Sequence, residues 1–501
     1  MFAGAGGLGE GISSYKHAGK NPFRLAISIE KEFWAHQTLM TRAAFRKTRR
    51  GRRNEFLNQL ASAGVNGAVA GFPEQFKLAA SEVILGELGI LSRLHFRDLI
   101  RARISKGEES VLIGGPPCQA YSLVGRARNK GIKGYDLDCD ARHSLYERYL
   151  EVLSDHRPVA FVMENVMGLL SASTKAGRLF ERITSDLAAP GRSLGQNSPL
   201  RYNLHALCVE TSSYPSKPSD YIVRSEDLGV PQRRHRLVII GLREDLGNVK
   251  LKPLDRLPLI STGEAIGDLP KLRSGQSESI DTLDKWRMAV LSAKNSSWFQ
   301  KLGYSDPDVA IAVESAMDTL SSAGRGAEAM KRTRQPSKWA KWCLADEGGV
   351  VFNHSARSHM TSDLHRYLFV ASYGQVRHQS PNLSNFPEKL LPLHVNASQA
   401  IASGALFKDR FRVQLRDFPA TTITSHISKD GHYYIHYDPT QCRSLTVREA
   451  ARLQSFPDSY FFCGPRTAQY IQVGNAVPPL LASIIAKSVS AALRAAGVPG
   501  T

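Results

Sequence analysis

The sequence predicts an α/β protein, with a Rossmann-like, mostly parallel sheet flanked by helices and a smaller second domain. Three observations carry that expectation. Short apolar runs alternate with helix-like stretches through the first 240 residues, a glycine-rich turn stands at the start, and the periodicity weakens beyond residue 245. Apolar runs of four to six residues separated by helices are the pattern of strands buried on both faces.

Taken in order, MFAGAGGLGEG is a glycine turn, residues 12–17 read as a helix, and RLAISIE (24–30) as a short strand. KEFWAHQTLMTRAAF (31–45) follows as a helix. VLIGG (111–115), AFVMENV (160–166), YNLHALCVE (202–210) and RLVIIGL (236–242) are further strands, with amphipathic helices at 144–155 and 177–188 between them. Residues 46–92 open with RKTRRGRR, continue as an Ala- and Gly-rich helical stretch, and read as an insertion. Residues 245–410 are rich in Ser, Lys and Arg without a βαβ rhythm, which places a second domain there. The C-terminal segment is a turn and a strongly apolar helix, which needs a large partner surface and so is expected back on the first domain. The boundaries expected are 1–244, 245–465 and 466–501.

The 501 residues carry a net charge of +19 and a pI near 9.7, which favours a polyanionic partner. No run of apolar residues approaches the roughly 18 needed to span a bilayer, and glycines interrupt any leader-like start. The six cysteines form no CxxC pair and no histidine cluster has metal spacing. Neither a disulfide framework nor a metal is expected, and a reducing cytoplasm is the natural home.

Gly4, Gly6 and Gly9 fit G-x-G-x-x-G, and Glu30 follows about twenty residues on, at the end of the next strand. Such glycines let backbone approach a ligand closely while the acid bonds ribose hydroxyls. That implies an adenosine-containing cofactor but does not separate a nicotinamide dinucleotide from S-adenosylmethionine. In VLIGGPPCQAYS, Pro116 and Pro117 fix the chain so that Cys118 emerges at the carboxyl end of a strand, where chemistry gathers in open α/β sheets. Its position favours a nucleophile over a buried structural thiol. AFVMENV delivers Glu164 to the same edge as a proton donor or hydrogen-bonding group. VPQRRHR brings Gln232, Arg234 and Arg236, the two arginines alternating about His235 and sharing a face as cationic donors.

With these pieces in place, the chain resembles the DNA (cytosine-5)-methyltransferases of bacterial or phage type. FAGAGG, GGPPCQAYS, ENV, QRRHR, LTVREAARLQSFPD and QVGNAVPP match that family in its usual order. The resemblance implies methyl transfer from S-adenosylmethionine to carbon 5 of a flipped-out cytosine in a specific duplex sequence. Cys118 would be the thiolate that adds to carbon 6. Glu164 would bind the ring edge, and Arg234 and Arg236 would hold the base carbonyl. For the cofactor it implies Phe2, Gly4, Gly6, Glu30, Asp98, Pro116, Leu145 and Asn475. For DNA it implies Gln119, Ser122, Arg126, Arg128 and Gln232, several of them in a cationic glycine-bearing loop expected to close over the backbone.

Lys31 departs from the pattern, since an apolar or aromatic residue commonly follows the ribose-binding glutamate. Target recognition is expected in 245–410, where VFNHSARSHMTSDLHRY (351–367) carries residues able to read base edges. A monomer near the nucleoid is expected, linked in function to a cognate restriction endonuclease or standing alone. Three other readings remain open: a tRNA-acting member of the same family, a catalytically silent DNA-binding homologue, and a nicotinamide oxidoreductase. The last leaves Cys118, Glu164 and Arg236 unexplained. Family members also carry a strand before the glycine loop, so the resemblance implies a natural protein extending about ten residues upstream.

Overall fold

The computed structural model describes the chain except residues 91, 117–141, 175–176, 210–216, 279, 333, 345–348, 393–409 and 501. It divides into two compact units: Met1–Thr48 with Phe72–Pro258 and Ala476–Thr501, and Arg49–Gly71 with Leu259–Asn475. Residues 46–92, expected as one insertion, therefore fall into two pieces. The helix Arg53–Gly71, kinked at Gly64, belongs to the second unit, whereas the helix Pro73–Glu82 and the strand after it belong to the first.

In the first unit, β1 (Ser28–Glu30) pairs in parallel with β2 (Val83–Leu85). The main sheet holds β3 (Val111–Gly114), β4 (Ala160–Val166), β5 (Tyr202–His205), β6 (Ile222–Arg224) and β7 (His235–Arg243). β3 and β4 pair in parallel, Ile113 opposite Val162. β7 runs antiparallel to β4, Val238 opposite Glu164, and antiparallel to β5 and β6 along its other edge. The mostly parallel sheet thus holds for strand direction, since β3 to β6 all run one way, but not for pairing. Reversal of β7 follows from its short connection to β6, because a tight connection joins antiparallel strands.

Both faces of the sheet are buried, which explains the unbroken apolar runs. On one face Phe161, Met163, Leu237 and Ile239 meet Tyr149, Leu153 and Ile183 from the helices Arg142–His156 and Leu179–Ala188. On the other, Val162, Val238, Ile240 and Leu242 meet Leu481, Ile485 and Val489 of the C-terminal helix Pro479–Ala495. The opening helix also packs there. A Cβ on Gly11 would lie 2.0 Å from the Pro479 carbonyl oxygen. That helix spans Gly7–Ser14, not residues 12–17, because Gly6 in the left-handed region (φ 87°) turns the chain straight into it. One further expectation is corrected. The stretch Arg466–Ala495 is long and apolar enough overall to cross a membrane, yet two-thirds of its most apolar part is buried and residues 476–478 interrupt its helices.

The second unit is built around the helix Thr361–Arg377, whose Leu364, Tyr367, Leu368 and Phe369 pack with Trp286, Trp298, Val313 and Phe411. Strands Gly326–Lys331 and Val350–Ser355 form an antiparallel pair. Beside this apolar core lies buried charge. Arg443 makes a two-pronged bond to Glu449, both at 2.6 Å. Arg452 bonds Asp268 at 2.6 Å and Asp458 at 2.7 Å, and Arg448 donates to the carbonyls of Phe352, Pro457 and Tyr460.

Candidate active site

The cofactor loop is held from within the first unit. Ala3 N–H donates to the β1 carbonyl of Ile29 at 3.1 Å, and Phe2, Gly4 and Gly6 all have positive φ. Glu30, at the end of β1, is buried. Its Oε2 accepts Gly4 N–H at 2.7 Å, and its Oε1 accepts Lys31 N–H and Glu32 N–H at 3.0 and 2.9 Å. The carboxylate therefore ties the loop to the strand that carries it. Oε2 retains capacity for a second donor, such as a ribose hydroxyl. Phe2 and Leu145 pack in one apolar cluster with Ile29, Phe96 and Leu112. A Cβ on Gly4 would meet no atom within 4 Å, so the loop backbone is open to close approach. Apolar side chains, an acceptor and open backbone together fit an adenosine-bearing ligand.

Of the other expected cofactor residues, two are exposed and one is buried. The Asp98 carboxyl, on the helix Arg93–Arg101, is 66% exposed and 3.3 Å from Arg97 Nε, while Phe96 and Ile100 of that helix face inward. Asn475 is exposed at the end of the helix Arg466–Asn475. Pro116 is buried just after β3. Lys31 turns to Glu87 at 3.6 Å.

The second part of the site lies at the adjoining ends of β4 and β7. Arg236 and Glu164 share one face of the antiparallel pair as diagonal neighbours, and Arg236 Nε lies 3.1 Å from Glu164 Oε1. Arg236 Nη1 also donates to the His235 carbonyl at 2.8 Å. Burial pulls the Arg236 pKa down, and the Glu164 carboxylate opposes that shift. A Cβ on Gly115 would stand 2.8 Å from the Glu164 carbonyl oxygen and 3.1 Å from its Oε2. Only glycine allows the chain leading out of β3 to pass so close to that carboxylate.

Strand alternation does not extend through QRRHR. β7 begins at His235, and Gln232 N–H and Arg234 N–H each donate to the carbonyl two residues back, at 2.8 and 3.0 Å. The shared face expected of Arg234 and Arg236 thus lacks the continuous strand that would impose it. Arg234 and Gln232 are both buried. Cys118, Gln119, Ser122, Arg126 and Arg128 lie outside the described residues.

The recognition stretch 351–367 is corrected. Asn353, His354 and His359 are buried. His354 bonds Thr446 Oγ1 and the Pro270 carbonyl, both at 2.9 Å, and Arg357 donates to the carbonyls of Ile427 and Lys429. Asn353, His354 and His359 are thus committed to the interior of their own unit, whereas Arg357, His365 and Arg366 are half-buried and Ser362 is exposed. Sequence reading also missed Ser225 and Glu226, which grip Arg234 and His235. The only trace they leave is a polar pair just before the turn at Gly229.

Residues 95–491 match the model of the C-5 cytosine-specific DNA methylases. A Type II methyltransferase of Bacillus paralicheniformis, M.Bpa9945I, is 31% identical over 98% of this chain and 97% of its own length. M.DdeI of Desulfomicrobium norvegicum, also a Type II methyltransferase, is 26% identical over 98% and 87%. A solved structure from an E. coli prophage, described as a candidate DNA modification methyltransferase, superposes with a TM-score of 0.50 at 17% identity, covering 98% of both chains, which bears on fold alone. The chain belongs to the C-5 cytosine-specific DNA methylase family. Its chemistry is S-adenosylmethionine-dependent methyl transfer to carbon 5 of cytosine.

Proposed function

We propose that this protein methylates a cytosine within a specific sequence of duplex DNA through a covalent Cys118 adduct. The observation that carries this reading is the Glu164–Arg236 pair at the sheet edge, touched by Gly115 on the segment that leads to Cys118. Bound S-adenosylmethionine supplies the electrophilic methyl group. Phe2 and Leu145 would pack on its adenine, Glu30 would take its ribose hydroxyls, and Gly4 and Gly6 would admit it to the backbone.

The protein's own groups do the rest. The target base must leave the duplex, at a cost of a few kcal/mol. The Cys118 thiolate adds to carbon 6, which makes carbon 5 nucleophilic and splits one hard step into two easier ones. Glu164 bonds the ring edge and favours a proton on ring nitrogen 3, and Arg236 and Arg234 hold the base carbonyl. Loss of the carbon 5 proton and departure of Cys118 release the product. Ser122, Arg126 and Arg128 are assigned to the DNA backbone and Gln119 to the opened base step. The net charge of +19 suits a phosphate backbone. We assign the protein to sequence-specific modification of DNA, acting as a monomer.

Cys118→Ser is expected to abolish transfer of labelled methyl to DNA while leaving cofactor binding near normal. Appreciable methylation by that variant would sink the covalent mechanism. Parallel assays on DNA and tRNA decide the substrate, and bisulfite sequencing of DNA from expressing cells reads out the target.

A further inference from the structure

The segment that carries Arg234 and Arg236 is gripped from behind by two neighbours in the turn Ser225–Leu228. Ser225 is fully buried, and both its N–H (3.1 Å) and its hydroxyl (2.7 Å) donate to the Arg234 carbonyl. Glu226 is nearly buried, with Oε1 2.7 Å from His235 Nε2. The Glu226 Oε2 is buried with no hydrogen-bond partner among the described residues. Such an oxygen is costly to keep, so the His235 contact has to repay more than a routine surface bond.

The chain of contacts continues to the chemistry. The His235 carbonyl accepts from Arg236 Nη1 at 2.8 Å, and Arg236 Nε lies 3.1 Å from Glu164. Because side chains alternate along β7, His235 leaves on the opposite face from Arg236. Glu226 can therefore hold the strand without crowding the base-holding side. Opposite His235, Arg224 sets the β6–β7 register that brings the turn beside it.

We propose that Ser225 and Glu226 are positioning residues for the Arg236–Glu164 pair. Glu226 fixes the His235 side chain and Ser225 the Arg234 carbonyl, so the peptide between them presents Arg236 at a set height over Glu164. This rests on the reading of that pair as the base-holding element. Small misplacements at a reacting centre are expensive, which is why such supporting contacts matter.

The test uses the full-length protein with Glu226→Ala, Glu226→Gln and Ser225→Ala, and two readouts. The first is the nitrogen-15 signal of Arg236 Nε–H, identified by its loss in Arg236→Lys, together with its exchange with solvent. The second is kcat and KM for methyl transfer to DNA. Glu226→Ala should shift that signal, speed its exchange and lower kcat about tenfold, with KM for DNA changing less than about twofold. Glu226→Gln, which keeps an acceptor oxygen for His235, should restore most of both, and Ser225→Ala should fall between. An unmoved Arg236 signal in folded Glu226→Ala overturns the proposal, whatever happens to the rate. So does a glutamine variant as impaired as the alanine one. A shifted signal in a protein whose wild type methylates no DNA leaves the positioning intact and overturns the function instead.

Discussion

In the first unit, β4 and β7 bury Phe161, Val162, Met163 and Leu237–Ile240 between layers of apolar helices. The second unit encloses Arg443, Arg448 and Arg452, all at most 1% exposed, together with Glu449, Asp268 and Asp458. Hydrocarbon cores tolerate exchange of like for like, losing roughly 1–3 kcal/mol when overpacked. A buried ion network is less forgiving, since removing one member strands the charge of the other. The two units should therefore fail in different ways.

Arg452→Met should show the largest effect. It removes the more deeply buried of the two arginines that Asp268 and Asp458 share, leaving only Arg332 between them, and is expected to cost about 3–5 kcal/mol in urea unfolding of the second unit. A loss under about 1 kcal/mol would mean that Arg332, 3.1 Å from Asp268, carries the network alone. Gly11→Ala comes next, as its methyl would collide with Pro479 and Ala482. About 1–3 kcal/mol should be lost from the first unit only, read by hydrogen exchange in the C-terminal helix.

The most gradual effect is that of pH. Burial pulls the pKa values of His354, His359 and His436 down to about 4, about 3 and about 4. Each is neutral in the folded protein, whereas the unfolded chain takes up its proton near pH 6.5. Their contribution is therefore complete above about pH 6.5 and lost as pH falls towards 4, by up to ~1.4 kcal/mol per histidine per unit. Asp458 continues the trend. Burial raises its pKa, but Arg452 outweighs that and holds it at about 2, so stability drains further below pH 4. The second unit should unfold first in an acid titration followed by Trp286 and Trp298 fluorescence, and simultaneous unfolding of both units would contradict the contrast.

The same contrast explains what the sequence made legible. Runs such as AFVMENV were visible because apolar strands advertise themselves, and β4 spans Ala160–Val166 as expected. Direction was not visible, because an apolar run reads alike whichever way it points, so the reversed β7 needed the structure. β2 hid inside a helical stretch because three residues, Val83–Leu85, give too short a pattern. The Arg236–Glu164 pair could be anticipated from motifs that converge on one sheet edge. By contrast, Arg443, Arg448 and Arg452 read as solvated charges until their partners, the carboxylates of Glu449, Asp268 and Asp458 and the carbonyls that hold Arg448, are brought to them. Histidines 354 and 359 misled for a related reason, since a polar residue shows its chemistry in sequence but not its burial.

The chain passes between the two units four times, at residues 48, 71, 258 and 475. A ribosome therefore cannot deliver either unit as a finished piece. The second waits for residue 475, and one face of the first sheet stays bare until Leu481, Ile485 and Val489 emerge. A nascent chain halted midway would expose apolar strand surface, a natural target for a chaperone. No single cut in the chain can release either unit whole.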